Sequence, residues 1–226
     1  MNILFFIEPF KILYSGLFQS IRSYKNKTTI TKREIMLETI NDKTANTCEL
    51  EIDGKNISVR TGRMAKQASG ACEIRCGDTM LLVTCTESKE VREGIDFFPL
   101  LIDYEEKLYA VGRVPGSFLR REGRASDKAI LTSRLIDRPI RPLFPKGYRK
   151  DVQIVATAMS ADQENPTDTL AMLGASFALS IAGLPFQGPI GAARVGRING
   201  EFVANPTYAE IEMSDMDIVV AGTEDS

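Results

Sequence analysis

Apolar and polar residues alternate along two stretches that begin near residue 48. The stretch CELEIDGKNISVRTG alternates on both sides of Asp53-Gly54, a pair typical of a type I′ turn between antiparallel strands. The stretch ACEIRCGDTMLLVTCTES repeats this plan around Gly77-Asp78. FFPLLIDYEEKLYA predicts a further strand, with core residues Phe97, Leu100 and Ile102. The first part of the folded region is therefore predicted to be mostly antiparallel β-sheet.

The first of two predicted helices follows a loop at residues 112–123, where three glycines and a proline interrupt any periodic pattern. Ser126 followed by Asp127 is typical of a helix start, and this helix should end or kink near Pro139. Helical spacing places three arginines near one face and three apolar residues inward; the arginines are Arg134, Arg138 and Arg141, and the apolar residues are Ile130, Leu131 and Leu135.

The remaining pattern predicts a buried strand at 151–160 and a second helix that starts after Asn165-Pro166 and ends near Gly183. This helix is apolar on all sides, which is typical of an interior helix. Three short strands follow, separated by glycine and asparagine-proline turns. The order of elements predicts an α+β fold in which helices pack against a mixed β-sheet.

Composition narrows the chemistry. The 226 residues carry a net charge of −2 and no histidine, which excludes Ser–His–Asp and Cys–His nucleophiles and the HExxH zinc site. The cysteines, Cys48, Cys72, Cys76 and Cys85, form no CxxC pair and are interpreted as small thiols in a reducing compartment. No run of about 20 apolar residues predicts a membrane helix.

Positive charge is concentrated between Arg113 and Lys150, where eleven Lys/Arg face three acidic residues. Three aromatic residues, Phe118, Phe144 and Tyr148, are interleaved with these cations. Arginine-rich loops with stacking rings suit a single-stranded polymer with a phosphate backbone. In the loop we assign base stacking to Phe118 and phosphate binding to Arg120, Arg121 and Arg124. The alternative is a solvated, salt-bridged surface loop.

Acidic residues give weak evidence for a metal site. Asp103, Glu105 and Glu106 lie in a predicted strand, whereas the second group surrounds a helix start where capping explains it; this group is Asp162, Glu164 and Asp168. No EF-hand, P-loop or GxGxxG motif occurs. We therefore assign no metal ligand and no catalytic residue within this sequence.

Residues 1–46 differ in texture from the rest and are interpreted as a leader, either a presequence or an extension before the true start, that is poorly ordered. The expected compartment is the cytoplasm; the alternative is a mitochondrion or chloroplast if residues 1–35 form a transit peptide. The last residues follow a predicted strand directly, so we expect the domain at 47–226 to be truncated at its C-terminus.

The long run DFFPLLIDYEEKLYAVGRVPGSFLRREGRASDKAILTSRLIDRPIRPLFP closely resembles the first RNase PH-like domain of the polynucleotide phosphorylase family. The run ATAMSADQENPTDTLAMLGASFALSIAGLPFQGPIGAARVGR and the later FVANPT continue the resemblance, which spans about Cys48 to Thr223. The resemblance implies an RNase PH-like fold of the ribosomal protein S5 domain 2-like type.

The resemblance also implies a phosphate-dependent 3′→5′ exoribonuclease of mRNA degradation, a polyribonucleotide nucleotidyltransferase. Its partners would be single-stranded RNA, inorganic phosphate, two further copies in a homotrimer, and RNA-degradation complex proteins. The family's channel loop maps to Phe118, Leu119, Arg120 and Arg121, although many members have an aromatic residue where this chain has Leu119. We assign Arg134, Arg138 and Arg141 to phosphate or subunit contacts.

The resemblance places the phosphate site and the acids that hold Mg²⁺ in a second RNase PH-like domain that this sequence lacks. The isolated chain is therefore expected to guide RNA but to be inactive or nearly so. One alternative is a non-catalytic RNA-binding or trimer-assembly module from a truncated gene. Another is a plain RNase PH-type enzyme, which the FLRR loop and the leader disfavour.

Overall fold

The computed structural model of the chain describes residues 46–52, 55–116, 118 and 120–223. The predicted leader lies outside the described residues, apart from Asn46, as do the Asp53-Gly54 turn and Leu119. The described residues form nine strands: β1 Asn46–Ile52, β2 Lys55–Thr61, β3 Gly70–Cys76, β4 Thr79–Val91, β5 Leu100–Glu106, β6 Lys150–Ser160, β7 Gly191–Ile198, β8 Glu201–Ala204 and β9 Asp217–Gly222. The α-helices are α1 Asp127–Ile140, α2 Thr167–Ala182 and α3 Tyr208–Met213, and short 3₁₀ helices span Leu108–Val111 and Arg141–Leu143.

The strands form two sheets. A six-stranded sheet has the order β1-β2-β3-β4-β6-β5, and a three-stranded sheet has the order β8-β7-β9. Every pairing is antiparallel except that of β5 with β6, which is parallel. The two predicted hairpins, β1/β2 and β3/β4, are confirmed, and so is the α+β class with a mixed sheet.

Helix α2 forms the centre of the core and is buried along nearly its whole length, as its uniform apolarity predicts. It contacts β3 and β4 of the large sheet and β7 of the small sheet. Glycine makes the close approach to the large sheet possible, because a Cβ at Gly174 would lie 2.6 Å from Cγ2 of Val83. Ser126 caps α1 as predicted, since its side chain accepts a hydrogen bond from the Ala129 N–H at 3.1 Å.

The cysteines are free thiols, and three of them, Cys72, Cys76 and Cys85, are buried as small core residues on the inner face of β3 and β4. Burial raises the pKa of both Cys72 and Cys85 to about 12. These thiols therefore stay protonated at neutral pH, which agrees with the structural interpretation of the cysteines.

Two core assignments in α1 are wrong. Ile130 and Leu131 are 37% and 66% exposed. The inward face is formed instead by residues spaced three or four apart; these are Ala129, Thr132, Ile136 and Ile140. Because each residue turns the helix by about 100°, positions 130 and 131 point away from that face. Leu135 packs against the core from a partly buried position, as predicted.

The aromatic assignments also need correction. Phe97 is 63% exposed and lies outside the core, whereas Leu100 and Ile102 are buried as predicted. Phe98 takes the inward position, with its ring centroid 4.6 Å from that of Phe144. Tyr148 joins the same cluster, so the buried Phe144 and the half-buried Tyr148 pack against the core and are not exposed stacking rings like Phe118.

Candidate nucleic-acid interface

The basic loop projects from the edge of the large sheet at which the parallel strands β5 and β6 both end. Residues that follow the two strands are joined there, since the Ala161 N–H donates to the Ala110 carbonyl at 3.0 Å. Helix α1 begins at the same edge, and the Ser126 hydroxyl donates to Glu106 Oε2 at 3.3 Å. The loop at 112–125 is therefore anchored to rigid elements on both sides, and its loop character is confirmed.

The tip of this loop is open to solvent. Phe118 is fully exposed, at 101% of its reference area. Arg120 has a left-handed backbone, with φ of 48°, and Arg121 and Arg124 are also exposed. Among the described residues, none of these three guanidinium groups takes part in an ion pair or a hydrogen bond. The solvated part of the surface-loop alternative fits, but the salt-bridged part does not, so the arginine donors are available to a ligand.

The three arginines assigned to α1 have different environments. Arg141 is engaged within the domain: it forms a bidentate pair with Asp137 and donates to the carbonyls of Phe98 and Leu100 at 3.1 Å. Arg134 and Arg138 are exposed and make no ion pair within the described part of the chain. They follow Ser126 by about 12 and 18 Å along the helix axis. The helix thus presents two available cations, Arg134 and Arg138, whereas Arg141 hydrogen-bonds the end of the helix to β5.

The short helix α3, which lies between β8 and β9 in the chain, approaches the same edge of the large sheet. The Lys128 ammonium lies 5.1 Å from the ring centroid of Tyr208 and donates to its hydroxyl at 3.2 Å. Tyr208 in turn donates its N–H to the Glu164 carbonyl at 3.0 Å. The first turn of α1 is therefore tied to α3, and Lys128 is partly used within the domain.

Several of the acids considered as metal ligands in the sequence are held by protein partners, and those within the described ranges do not converge on a metal site. Asp103 accepts from Gln153 at 3.1 Å, Glu105 pairs with Lys107 at 2.9 Å, and Asp168 pairs with Arg194. No group of three or more His, Cys, Asp or Glu side chains with metal-binding geometry occurs within the part of the chain that the structure describes. The arrangement does not fit a Mg²⁺ site.

Asp162 stabilises the loop that leads into α2. Its Oδ1 accepts from the N–H groups of Glu164 and Asn165 and from the Thr79 hydroxyl, and its Oδ2 accepts from the Asn165 amide. Burial alone would raise the pKa of Asp162, but these hydrogen bonds outweigh it and hold the pKa well below its usual value. The interpretation of this acid as a helix cap is wrong, because the N-cap of α2 is Pro166, which makes no side-chain cap, and the N–H groups that Asp162 binds belong to the turn before the helix.

Sequence reasoning missed Glu122, which it counted only as one of three acids in the basic segment. Its Oε1 accepts the Leu108 N–H at 3.0 Å and so joins the end of the loop to the 3₁₀ turn before it. No sequence signal marks this contact, because the donor is a backbone group and the spacing of fourteen residues matches no capping motif.

Comparisons with known proteins add independent evidence on the family. The family model described as "3' exoribonuclease family, domain 1" matches residues 53–185, and the model for domain 2 of the same family matches residues 188–226. The polyribonucleotide nucleotidyltransferase of Heliobacterium modesticaldum is 60% identical over 177 residues, which cover 78% of this chain. That of Finegoldia magna is 59% identical over 178 residues, which cover 79% of this chain. The chain spans about a quarter of the length of these curated relatives.

Solved structures share the fold at low identity. Rice (Oryza sativa) Rrp46 matches with a TM-score of 0.55 and 11% identity, over 79% of this chain and 81% of that one. The Archaeoglobus fulgidus exosome with RNA bound to its active site matches with a TM-score of 0.57 and 17% identity, over 86% of this chain and 83% of that one. These likenesses establish the RNase PH-like fold and nothing more.

Among the described residues, no helix combines the length and apolar character needed to cross a bilayer.

The fold, the family model over more than half of the chain and the identity to bacterial relatives agree with the resemblance seen in the sequence. The chain belongs to the 3′ exoribonuclease family and carries the RNase PH-like domain that opens the polyribonucleotide nucleotidyltransferases.

Proposed function

We propose that this chain is the RNA-guiding domain of a polyribonucleotide nucleotidyltransferase that degrades mRNA from the 3′ end. In the reaction, an oxygen of inorganic phosphate attacks the phosphorus of the terminal phosphodiester. The bond from that phosphorus to the 3′ oxygen of the preceding nucleotide breaks, a nucleoside diphosphate leaves, and the shortened RNA regains a 3′ hydroxyl. The reverse direction polymerises diphosphates and releases phosphate.

The exposed loop tip carries this proposal. Phe118 offers both ring faces to solvent, and Arg120, Arg121 and Arg124 extend unpaired donors around it. Stacking on an aromatic ring and contacts from guanidinium groups to phosphates bind single strands without selecting a sequence. A processive exonuclease needs this property, since it must hold every sequence that passes. Arg134 and Arg138 would extend the basic surface along α1.

The remaining parts of the activity are proposed from the family. Mg²⁺ would be held by a second RNase PH-like domain and would neutralise charge on the transferred phosphoryl group. The chain would act in a homotrimer whose loops surround the RNA, in the cytoplasm, with RNA-degradation proteins as further partners. No catalytic step is assigned to a residue of this chain.

A second candidate is a non-catalytic RNA-binding or assembly module. The observation that favours it is that the described residues hold no group of acids with metal-binding geometry, while Asp103, Glu105 and Asp168 are engaged by protein partners, so RNA contact would be the chain's own contribution. The two candidates share the loop and differ in whether phosphorolysis accompanies binding.

The experiment measures both properties on the purified 226-residue chain. We expect binding to poly(A) that weakens steeply as salt rises, because each phosphate contact on a single strand contributes about −0.7 to the slope of log K against log salt. We expect no phosphate-dependent release of ADP unless the rest of a full-length relative is supplied. Absence of RNA binding would refute both candidates, and turnover by the chain alone would refute the division of labour between the domains.

A further inference from the structure

The segment 113–122 closes on a single residue of the preceding turn. The Arg113 N–H donates to the Leu108 carbonyl at 2.9 Å, and the Leu108 N–H donates to Glu122 Oε1 at 3.0 Å. Both ends of the segment are therefore bound to the two peptide groups of Leu108. Phe118, Arg120 and Arg121 lie beyond this neck, at the tip.

The neck rests on a fixed base. The 3₁₀ turn Leu108–Val111 contains the hydrogen bond from the Ala110 N–H to the Lys107 carbonyl, and Ala110 accepts from Ala161 at the end of β6. Glu122 is therefore hydrogen-bonded to a turn that is itself attached at the end of β6. The position of the loop tip is therefore fixed relative to the large sheet through this turn.

Glu122 supplies what the turn lacks. Lys107 occupies the capping position of the turn but makes no side-chain cap, so the first N–H, that of Leu108, needs an acceptor from elsewhere. A carboxylate at the N-terminal end of a helical turn is favourable in hydrogen bonding and in charge. The field of Glu122 also reaches Lys107, whose pKa is raised first by its hydrogen bond to Glu105 and further by the charges of Glu105 and Glu122.

Within the described part of the loop, Glu122 is the residue whose side chain bonds to the rest of the domain; Phe118, Arg120, Arg121 and Arg124 form no such contact. Without the Glu122 carboxylate, the segment keeps the backbone bond of Arg113 at its first end, and the next anchor described at its other end is Ser126, four residues further along the chain. The arginines would then sample many positions, and ordering them on RNA would cost conformational entropy at the moment of binding.

We propose that Glu122 is a positioning residue for RNA: its carboxylate caps the 3₁₀ turn and closes the neck, so that Phe118, Arg120 and Arg121 are presented as an ordered group. This inference rests on the proposed function. An acid is retained inside a basic RNA-binding loop, although its charge repels phosphate, because the ordering that it provides outweighs the repulsion.

The test compares Glu122→Ala with Glu122→Gln in the 226-residue chain. Both substitutions remove the same negative charge, but the glutamine amide oxygen still accepts the Leu108 N–H. Affinity is measured for a fluorescent oligoadenylate of roughly 15 nucleotides, long enough to cover a single-stranded site. We expect Glu122→Ala to bind about 3- to 10-fold more weakly than Glu122→Gln.

A double-mutant cycle asks whether the effect passes through the loop tip. In a chain that also carries Arg120→Ala and Arg121→Ala, the difference between alanine and glutamine at 122 should disappear, because the groups that Glu122 positions are gone. If the difference persists there, Glu122 acts on stability or elsewhere on the surface, and the proposal is wrong.

Trypsin provides a readout that needs no RNA, since it cleaves after arginine in chain segments that open. We expect cleavage after Arg120 and Arg121 to be several-fold faster in Glu122→Ala than in Glu122→Gln, with equal thermal unfolding midpoints. Equal cleavage rates or equal affinities for the two variants would overturn the role of Glu122 alone. Loss of loop-dependent RNA binding in the unaltered chain would overturn the proposed function and, with it, the purpose assigned to the neck.

Discussion

Arginine serves two different purposes in two regions of this domain. In the small sheet, Arg194 is mostly buried and lies between Asp168 and Asp217, with the latter contact at 2.9 Å, while Arg197 pairs with Asp215 at 2.7 Å. In the loop at 113–124, by contrast, the arginines are exposed and have no carboxylate partner among the described residues. The same side chain type therefore stabilises the fold in one region and remains available for a ligand in the other.

The difference follows from solvation. A buried guanidinium must be paired, because an unpaired buried charge is costly, whereas an exposed one is hydrated and needs no partner. Unpaired exposed arginines repel one another at low salt, a cost that is recovered when phosphates arrive and counterions leave. Pairing state, and not arginine content, thus separates the structural region from the candidate interface.

Arg194→Ala should produce the largest effect on stability. It leaves Asp168 buried beside the start of α2 without its partner, and removal of one member of a buried pair typically costs about 3–5 kcal/mol. Urea unfolding monitored by circular dichroism would measure the loss, and RNA affinity per folded molecule should not change. Arg197→Ala is the control, because its pair is exposed and should matter far less. Equal losses for both variants would contradict the difference between the buried and the exposed pair.

Arg120→Ala with Arg121→Ala should have the next largest effect, on binding and not on stability. We expect the affinity for single-stranded RNA to fall about 10- to 100-fold and the salt slope to become shallower by about 1.4, which corresponds to two phosphate contacts. Fluorescence anisotropy over a salt series would measure both. Arg134→Ala with Arg138→Ala removes the same charge from α1 and should have the smaller effect. A similar loss in both pairs would mean that RNA senses general charge and not the loop.

Asp162→Asn should lower the unfolding midpoint at neutral pH by roughly 2–8 °C. The Asn165 side-chain amide donates a hydrogen bond to the Asp162 carboxylate, and in the variant it would face the NH₂ group of the new asparagine, which is also a donor. The pKa of Asp162 is depressed in the folded state, so its contribution is complete above the unfolded value of about 4 and is lost as pH falls below it. Melting curves from neutral to acid pH should therefore converge for the two proteins. A difference that stays constant through the acid range would exclude the charge of Asp162 as its cause.

Leu131→Ala should have the smallest effect. Leu131 is 66% exposed on the same helix as Arg134, and a surface substitution usually changes stability by less than about 0.5 kcal/mol. Ile136→Ala is the matched control on the buried face and should cost about 2–5 kcal/mol. Urea unfolding of the pair tests which face of α1 packs inward. A larger loss at Leu131 would restore the inward packing that the sequence pattern suggested.

The order and type of the elements were accessible from sequence because they depend on local signals. Gly77-Asp78 joins two alternating stretches, Ser126 starts a helix, and Gly183 ends one, each through backbone preferences that act over a few residues. The short helix Tyr208–Met213 was not predicted, although Thr207 and Glu210 form a capping box at its start. The failures at Phe97, Ile130 and Leu131 concern which way a side chain faces, which depends on the partner surface.

The chain's pattern of apolar positions, turns and caps determined its α+β class, and the concentration of arginines around Phe118 pointed to the loop. Tertiary structure alone decided which cations are available, since Arg141 is engaged with Asp137 and β5 while Arg120 and Arg121 are not. It also decided that Glu122 closes the neck on Leu108, fourteen residues away. The physical reason is that availability and position depend on groups distant in sequence, and only the folded chain brings those groups within hydrogen-bonding distance.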